Sequence, residues 1–443
     1  MSEAPTRPES TSRRVWQLAW PTIISNLLFT TVGFMHIKIA SPMGTNAVAA
    51  VTTGHRVFFL IQAIMMGLSV ATTALVARSW GADDARRSEM VTWTSLALAI
   101  TLGLTLGVPA IVIPEAVAGL FRLDPVTTAL AAKFIFWLGL FNVFSAINLV
   151  LSTALRATGD VITPLWFLFF SSLLNVVFGY LLAFGIGFLP ALGVGGISLG
   201  GSSAATIITL SFVLFWWRGR FQLKPVKRAR INLSIARQIW TIGLPSVLEQ
   251  GFVQLAFLAF FAIVAQYGTT AYAAYGIGIS LVSFSIVIGF GFGIAAATLV
   301  GQQLGAGKPE MAIKAGWRGL RMAISAMLLF SILMAIYAEE LASFMISDPE
   351  AIHLTAVFIY IIAFCQPLMA VDFALAGALR GAGDTRFPLL ATTGGILLGR
   401  LLPALLFLKL NLSIYWVLSV MFTDYAIKAS LLLYRYRSHK WVH

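Results

Sequence analysis

Residues 154–165 (ALRATGDVITPL) and 378–389 (ALRGAGDTRFPL) agree at seven of twelve positions, and their offset of 224 residues recurs along the chain. Pro21 falls on Pro245, Gly44 on Gly268, Leu75-Val76 on Leu299-Val300, Gly81-Ala82 on Gly305-Ala306 and Asp124 on Asp348. A register held from Pro21 to Leu165 requires two structural halves with one internal plan. In a membrane chain, halves of this kind place a substrate site at their interface.

The chain is a membrane protein by composition. Of its 443 residues 59% are hydrophobic and 11% are charged, against about 25% charged in soluble domains. Twelve apolar segments reach the roughly 20 residues that a helical span needs, six in each half. The predicted fold is an all-α integral membrane protein built as two six-helix bundles. Six spans per half return the second half in the orientation of the first, which implies a pseudo-two-fold axis along the membrane normal. The predicted divisions are a cytoplasmic tail over 1–14, an N-terminal lobe over 15–217, a basic linker over 218–237, a C-terminal lobe over 238–436 and a tail over 437–443. Of the 30 Lys and Arg residues, 23 lie in the tails and loops on one side, which predicts that both termini are cytoplasmic in a plasma (inner) membrane.

The net charge of +13 sits in short loops rather than on one stripe, so it reads as membrane orientation and not as nucleic-acid binding. A single cysteine, Cys365, excludes an internal disulfide framework and a Cys-based zinc site. GAGK at 305–308 lacks the outer Gly and the Ser/Thr of a phosphate loop, and no His-Glu-x-x-His or Gly-x-Ser-x-Gly occurs. The sequence therefore predicts no enzyme and no cofactor.

Ionisable groups inside spans are costly and mark function by default. Three acids qualify, Glu249, Asp372 and Asp424, all in the second half. The 224 offset places Ser25, Asn148 and Gly200 opposite them, so the second half is the one specialised for a cation. Glu249 lies four residues after Pro245 and roughly 16 Å into its span, near the bilayer midplane. Proline frees the carbonyl one turn back, which makes Pro21 and Pro245 candidate hinges and Glu249 a candidate ligand for Na⁺ or a proton. Asp372 falls opposite Asn148, in a polar row with Asn142 spaced for one helix face. Asp424 and Lys428 are four apart and can form an ion pair or take part in coupling. His36 can be a packing histidine or a proton carrier. Asn26, Gln250, Gln254, Asn142, Asn148, Arg56 and Arg400 are candidate cavity residues.

LPSVLEQ (244–250), TLVGQQLGAGKPE (298–310) and above all LRGAGDTRFPL (379–389) resemble the multidrug and toxic compound extrusion (MATE) transporters over nearly the whole chain. The resemblance implies a V-shaped pair of six-helix bundles that exports organic cations or other amphipathic, drug-like compounds in exchange for Na⁺ or H⁺ across the lipid bilayer. Both halves lie on one chain, which can form the whole pathway, so a functional monomer is expected. Glu249 and Asp372 match the acidic positions of the family's bacterial NorM-like branch, and no metal beyond that Na⁺ is implied. One position departs: many members carry an aspartate in the first span, where this chain has His36. The alternative on the same architecture is a flippase or exporter of lipid-linked or anionic substrates. That reading needs a basic cavity, with Lys38, Arg56 and Arg400 as its candidates.

Overall fold

A computed structural model describes residues 11–187, 189–226 and 231–442. Most of the predicted 1–14 tail, Lys227, Arg228 and Arg230 of the linker, and His443 lie outside the described residues. Twelve helices are long and apolar enough to cross a membrane. We number them α1 (Thr11–Ala40), α2 (Thr45–Gly81), α3 (Ala85–Val112), α4 (Pro125–Thr158), α5 (Ile162–Phe184), α6 (Val194–Trp217), α7 (Leu233–Ala265), α8 (Thr269–Gly305), α9 (Pro309–Ile336), α10 (Pro349–Gly381), α11 (Arg386–Lys409) and α12 (Ile414–Arg437). No strand occurs among the described residues.

The repeat is visible at the ends of the helices. α2 and α8 begin and end 224 residues apart, as do α3 and α9. Gly44 (φ 99) and Gly268 (φ 103) open α2 and α8 from backbone conformations that L side chains rarely adopt. Asp124 and Asp348 cap α4 and α10, accepting from the backbone N–H groups of Thr127 (3.0 Å) and Glu350 (3.3 Å). Two short helices that the sequence did not announce, Pro114–Gly119 and Ala338–Met345, also start 224 apart. The repeat extends to packing: a Cβ at Gly54 would strike the ring of Phe134, and a Cβ at Gly278 would strike Phe358. Small residues let helices approach where no hydrophobic force drives them together in lipid.

The register slips in the last span. α6 and α12 have equal length but start 220 residues apart, because the connection over 410–413 is shorter than that over 185–193. The stacked pair Trp93–Trp216 accordingly has its counterpart in the edge-to-face pair Trp317–Tyr436. Asp424 thus stands in the place of Ala204, one turn from the Gly200 that a constant offset gives.

The chain forms two compact units, one made of residues up to Ile23 with Leu248 onward, the other of Ile24–Val247. The division differs from one drawn at the basic linker, since it falls inside α1 and α7, two residues after Pro21 and Pro245. The first part of α7 packs with the N-terminal helices: a Cβ at Gly67 would meet Gly243 and Val247. The first part of α1 packs with the C-terminal helices: a Cβ at Gly291 would meet Ala19 and Ile23, and Trp16 lies 6.3 Å from Phe292. These contacts again keep the 224 register, because Ala19 and Ile23 are the repeat partners of Gly243 and Val247.

In the Leu248-onward unit, α10 is the central helix, packed against α8, α9 and α12. α11 is interrupted by a π-helical stretch, Gly395–Leu401, that carries Arg400 inward. Extra-wide turns of this kind re-aim side chains and are frequent at functional sites. In the Ile24–Val247 unit, α4 is central, against α2, α3 and α6, and α6 packs on α5.

Candidate functional site: a carboxylate cluster and a histidine pair

All three intramembrane acids lie in the unit that contains Leu248 onward, Glu249 and Asp424 buried and Asp372 half-buried. Glu249 is 3% exposed, yet one of its oxygens is heavily engaged. Oε1 accepts from Arg380 Nη2 at 2.6 Å and from Thr392 Oγ1 at 2.9 Å. Oε2 is buried and has no hydrogen-bond partner. Arg380 belongs to the repeated LR-x-x-G-D segment at the end of α10, so that motif delivers the partner of Glu249. Its acid, Asp384, accepts from Arg435 of α12 at 2.7 Å and ties down the same end of the unit.

Asp424 is fully buried and is an ion-pair residue. It binds Arg400, and Lys428 Nζ lies 3.0 Å from its Oδ1. The Arg400 guanidinium also lies 5.8 Å from the ring centres of Phe257 and Tyr425, a favourable arrangement for a desolvated cation. Gly395 and Gly399 leave the space for this: a Cβ at either would strike Asp424 or Lys428. Arg400 is 4% exposed, so the expectation that it is a cavity residue is corrected. The π-helical stretch turns it into the bundle, onto Asp424.

Asp372, half-buried on α10, pairs with none of these, although Lys428, Arg380, Glu249 and Asp424 all lie within electrostatic range. The cluster therefore holds three carboxylates, Glu249, Asp372 and Asp424, and three cations, Arg380, Arg400 and Lys428. It is neutral when fully ionised.

The other predicted residues separate. Asn142 is buried and donates to the Gly103 carbonyl at 3.0 Å, so it ties α4 to α3 instead of lining a cavity. Asn148 is half-buried and accepts from Ser152 at 3.3 Å. Asn26 and Gln250 are half-buried, and Gln254, Lys38 and Arg56 are exposed. Pro21 and Pro245 lie within continuous helices.

His36 is not alone. Its Nδ1 lies 3.1 Å from Nε2 of His55 on α2, and its Nε2 lies 2.6 Å from Oδ1 of Asn175 on α5. The two imidazoles stack at 5.3 Å, and the edge of Phe134 packs against both. The roles of His55, Asn175, Arg380 and Thr392 escaped the sequence reading. Arg380 had a signal, its place in the repeated motif. The others come from helices distant in sequence and had none.

Comparison with known proteins agrees with this architecture. The family model described as MatE matches residues 21–181 and again 245–405, two stretches at the spacing of the internal repeat. A probable multidrug resistance protein NorM from Thermotoga maritima is 27% identical over 440 residues, covering 96% of this chain and 92% of the relative. The multidrug resistance protein NorM of Burkholderia vietnamiensis is 28% identical over 390 residues, covering 86% and 83%. Among solved structures, a MOP superfamily transporter from Pyrococcus furiosus superposes with a TM-score of 0.89 at 20% identity, over 99% of this chain and 100% of the other. A MATE protein in the straight conformation gives 0.88 at 20% identity, over 97% of both chains. With two matches of the family model spanning most of a twelve-helix chain, this protein belongs to the MATE family, which is a family of membrane transporters and not of enzymes.

Proposed function

We propose that the protein is a secondary antiporter that exports organic cations or amphipathic drug-like compounds in exchange for Na⁺ or H⁺. The termini lie on the cytoplasmic side of the plasma (inner) membrane, and one chain contains both halves of the machinery. The observation that carries the ion site is the open valence of the acids: among the described residues Glu249 Oε2 is buried without a hydrogen-bond partner, and Asp372 makes no ion pair with the Lys428 and Arg380 charges near it. A buried polar atom without a partner costs on the order of 1–3 kcal/mol, a cost that a bound cation or proton removes.

Charge balance then supplies the competition that antiport needs. The fully ionised cluster is neutral, so one added Na⁺ or proton leaves a net positive charge in a low-dielectric interior. A cationic substrate near the same carboxylates is disfavoured while the ion is bound, and the ion is disfavoured while substrate is bound. Two ligands that oppose each other in this way, with opposite preferences for two conformations, exchange across the membrane. Pro21 and Pro245, at the boundary of the units in α1 and α7, are the hinges of this reading. The lipid-linked or anionic alternative loses its buried base, because Arg400 is neutralised by Asp424.

Proteoliposomes with Na⁺ and pH gradients imposed separately test the reading. Substrate efflux driven by one gradient is expected in the wild type and is expected to vanish in Glu249→Gln with Asp372→Asn. Undiminished gradient-driven efflux by that double variant removes the carboxylates from the mechanism.

A further inference from the structure

We propose that Arg156, at the end of α4, is an oxyanion site: its guanidinium takes a carboxylate or phosphate group that the unit around it does not supply. The site lies in the Ile24–Val247 unit and does not depend on the ion site at Glu249 and Asp372.

The repeat shows what this arginine is built to hold. Arg156 falls on Arg380, whose guanidinium donates to Glu249 at 2.6 Å. The helices that carry the two arginines keep the 224 register: α4 and α10 begin 224 residues apart. Their packing near the arginines keeps it too. Ser69 and Thr153 hydrogen-bond at 2.8 Å between α2 and α4, and their repeat partners Gly293 and Gly377 approach so closely that a Cβ at Gly377 would strike the Gly293 carbonyl. The position of Glu249, however, is held by Ser25, which is shorter and uncharged. The duplication has kept the cation and omitted its anion.

No other acid replaces it. Among the described residues the Arg156 guanidinium has no hydrogen-bond or ion-pair partner, and no charged group acts on it. The nearest acid in sequence, Asp160, accepts instead from the Thr163 backbone N–H at 3.0 Å, at the start of α5. Its repeat partner Asp384 binds Arg435, whose place in α6, at the slipped offset, is taken by Phe215. The remaining carboxylates of residues 24–247 are Asp83, Asp84, Glu89, Glu115 and Asp124, all in loops or near helix starts.

Arg156 is half-buried, between the buried Leu155 and Ala157. Its nitrogens lack partners without being sealed from solvent, so a ligand can reach them. A guanidinium drawn partly out of water and left without an anion is unfavourable. Its planar fork matches two oxygens of a carboxylate or a phosphate. A bound oxyanion stands where Glu249 stands in the other unit. A small dissolved anion and a lipid headgroup phosphate offer the same chemistry.

The test melts the full chain in a maltoside detergent, whose headgroup carries no phosphate, with sodium acetate or sodium phosphate against sodium chloride of equal ionic strength. Either oxyanion is expected to raise the melting temperature of the wild type. Arg156→Gln, which strands no carboxylate, is expected to fold and to lose that rise, and Arg156→Lys, which keeps the charge without the fork, to show a smaller one. Ser25→Glu restores the missing carboxylate. It is expected to raise the melting temperature without added anion, to abolish the response to acetate and phosphate, and to lose its gain in combination with Arg156→Gln. Should Ser25→Glu fold poorly, the anion titration decides alone. In nanodiscs containing phosphatidylglycerol, a headgroup occupant leaves no further rise on adding acetate, whereas a dissolved occupant leaves the rise intact; both place an oxyanion on Arg156. An acetate and phosphate response in detergent that is absent, or unchanged in Arg156→Gln, would overturn the proposal, as would a folded Ser25→Glu whose effect is indifferent to Arg156.

Discussion

The two halves of the chain share a scaffold and differ in what it encloses. Gly54 against Phe134 and Gly278 against Phe358 are the same packing device; α2 and α8 both start from a glycine cap, and α4 and α10 both from an aspartate cap. Yet the repeat positions of His36, His55 and Asn175 are Phe260, Ile279 and Gly399. Where one unit holds two imidazoles and an amide, the other has two apolar side chains and a glycine, against which the Asp424 backbone fits and beside which Arg400 turns inward. Conversely the repeat positions of Glu249 and Asp372 are held by Ser25 and Asn148. A duplicated fold has thus been kept at several glycines and caps while the polar interior diverged.

The comparison can be broken most directly at the carboxylates. Glu249→Gln with Asp372→Asn should lower gradient-driven efflux by about 100-fold, the upper end of ordinary coupling energies. His36→Gln should leave Na⁺-driven efflux within a few-fold of wild type, checked in the same vesicles. Asp424→Asn comes next. It leaves Arg400 and Lys428 buried without their anion, and loss of one member of a buried pair costs about 3–5 kcal/mol, readable as a fall in thermal stability. Gly54→Ala and Gly278→Ala should each cost about 1–3 kcal/mol through overpacking, by equal amounts if the repeat governs packing. Shrinking the facing ring, Phe134→Leu or Phe358→Leu, should restore part of each loss. Unequal losses would show that the histidine pair, which Phe134 touches, alters the response of its unit.

The smallest effect is at a helix cap. Hydrogen bonds from Thr127 hold the exposed Asp124 carboxyl below its ordinary range. A depressed folded value means that its contribution is present above the unfolded value and is lost as pH falls through the folded one. Asp124→Ala should therefore lower the melting temperature slightly at neutral pH and make no difference in acid.

The twelve spans and their duplication were readable because hydrophobic length and motif spacing are properties of consecutive residues. The short helix Pro114–Gly119, the π-helical stretch around Arg400 and the slipped register of Asp424 were not, since each depends on loop length or on packing between helices. The same limit applies to the site. Glu249, Asp372 and Asp424 stand out as charges in apolar runs. The attachment of Arg380 to Glu249, or of His55 to His36, is a contact across 131 or 19 residues that no local pattern encodes. Asn142 shows the converse error: a polar row on a helix can satisfy a neighbouring backbone instead of facing water.

The unit boundary inside α1 and α7 has a consequence for ancestry. Each half-polypeptide gives up its opening arm and receives the arm of the other, so neither half is a closed folding module. An ancestor with one six-helix repeat would have had to work as a pair of chains exchanging arms, and fusion through the basic segment would have made that exchange permanent. Cutting the chain within residues 218–232 and expressing the pieces together should accordingly restore a whole protein, while either piece by itself should be cleared by the cell.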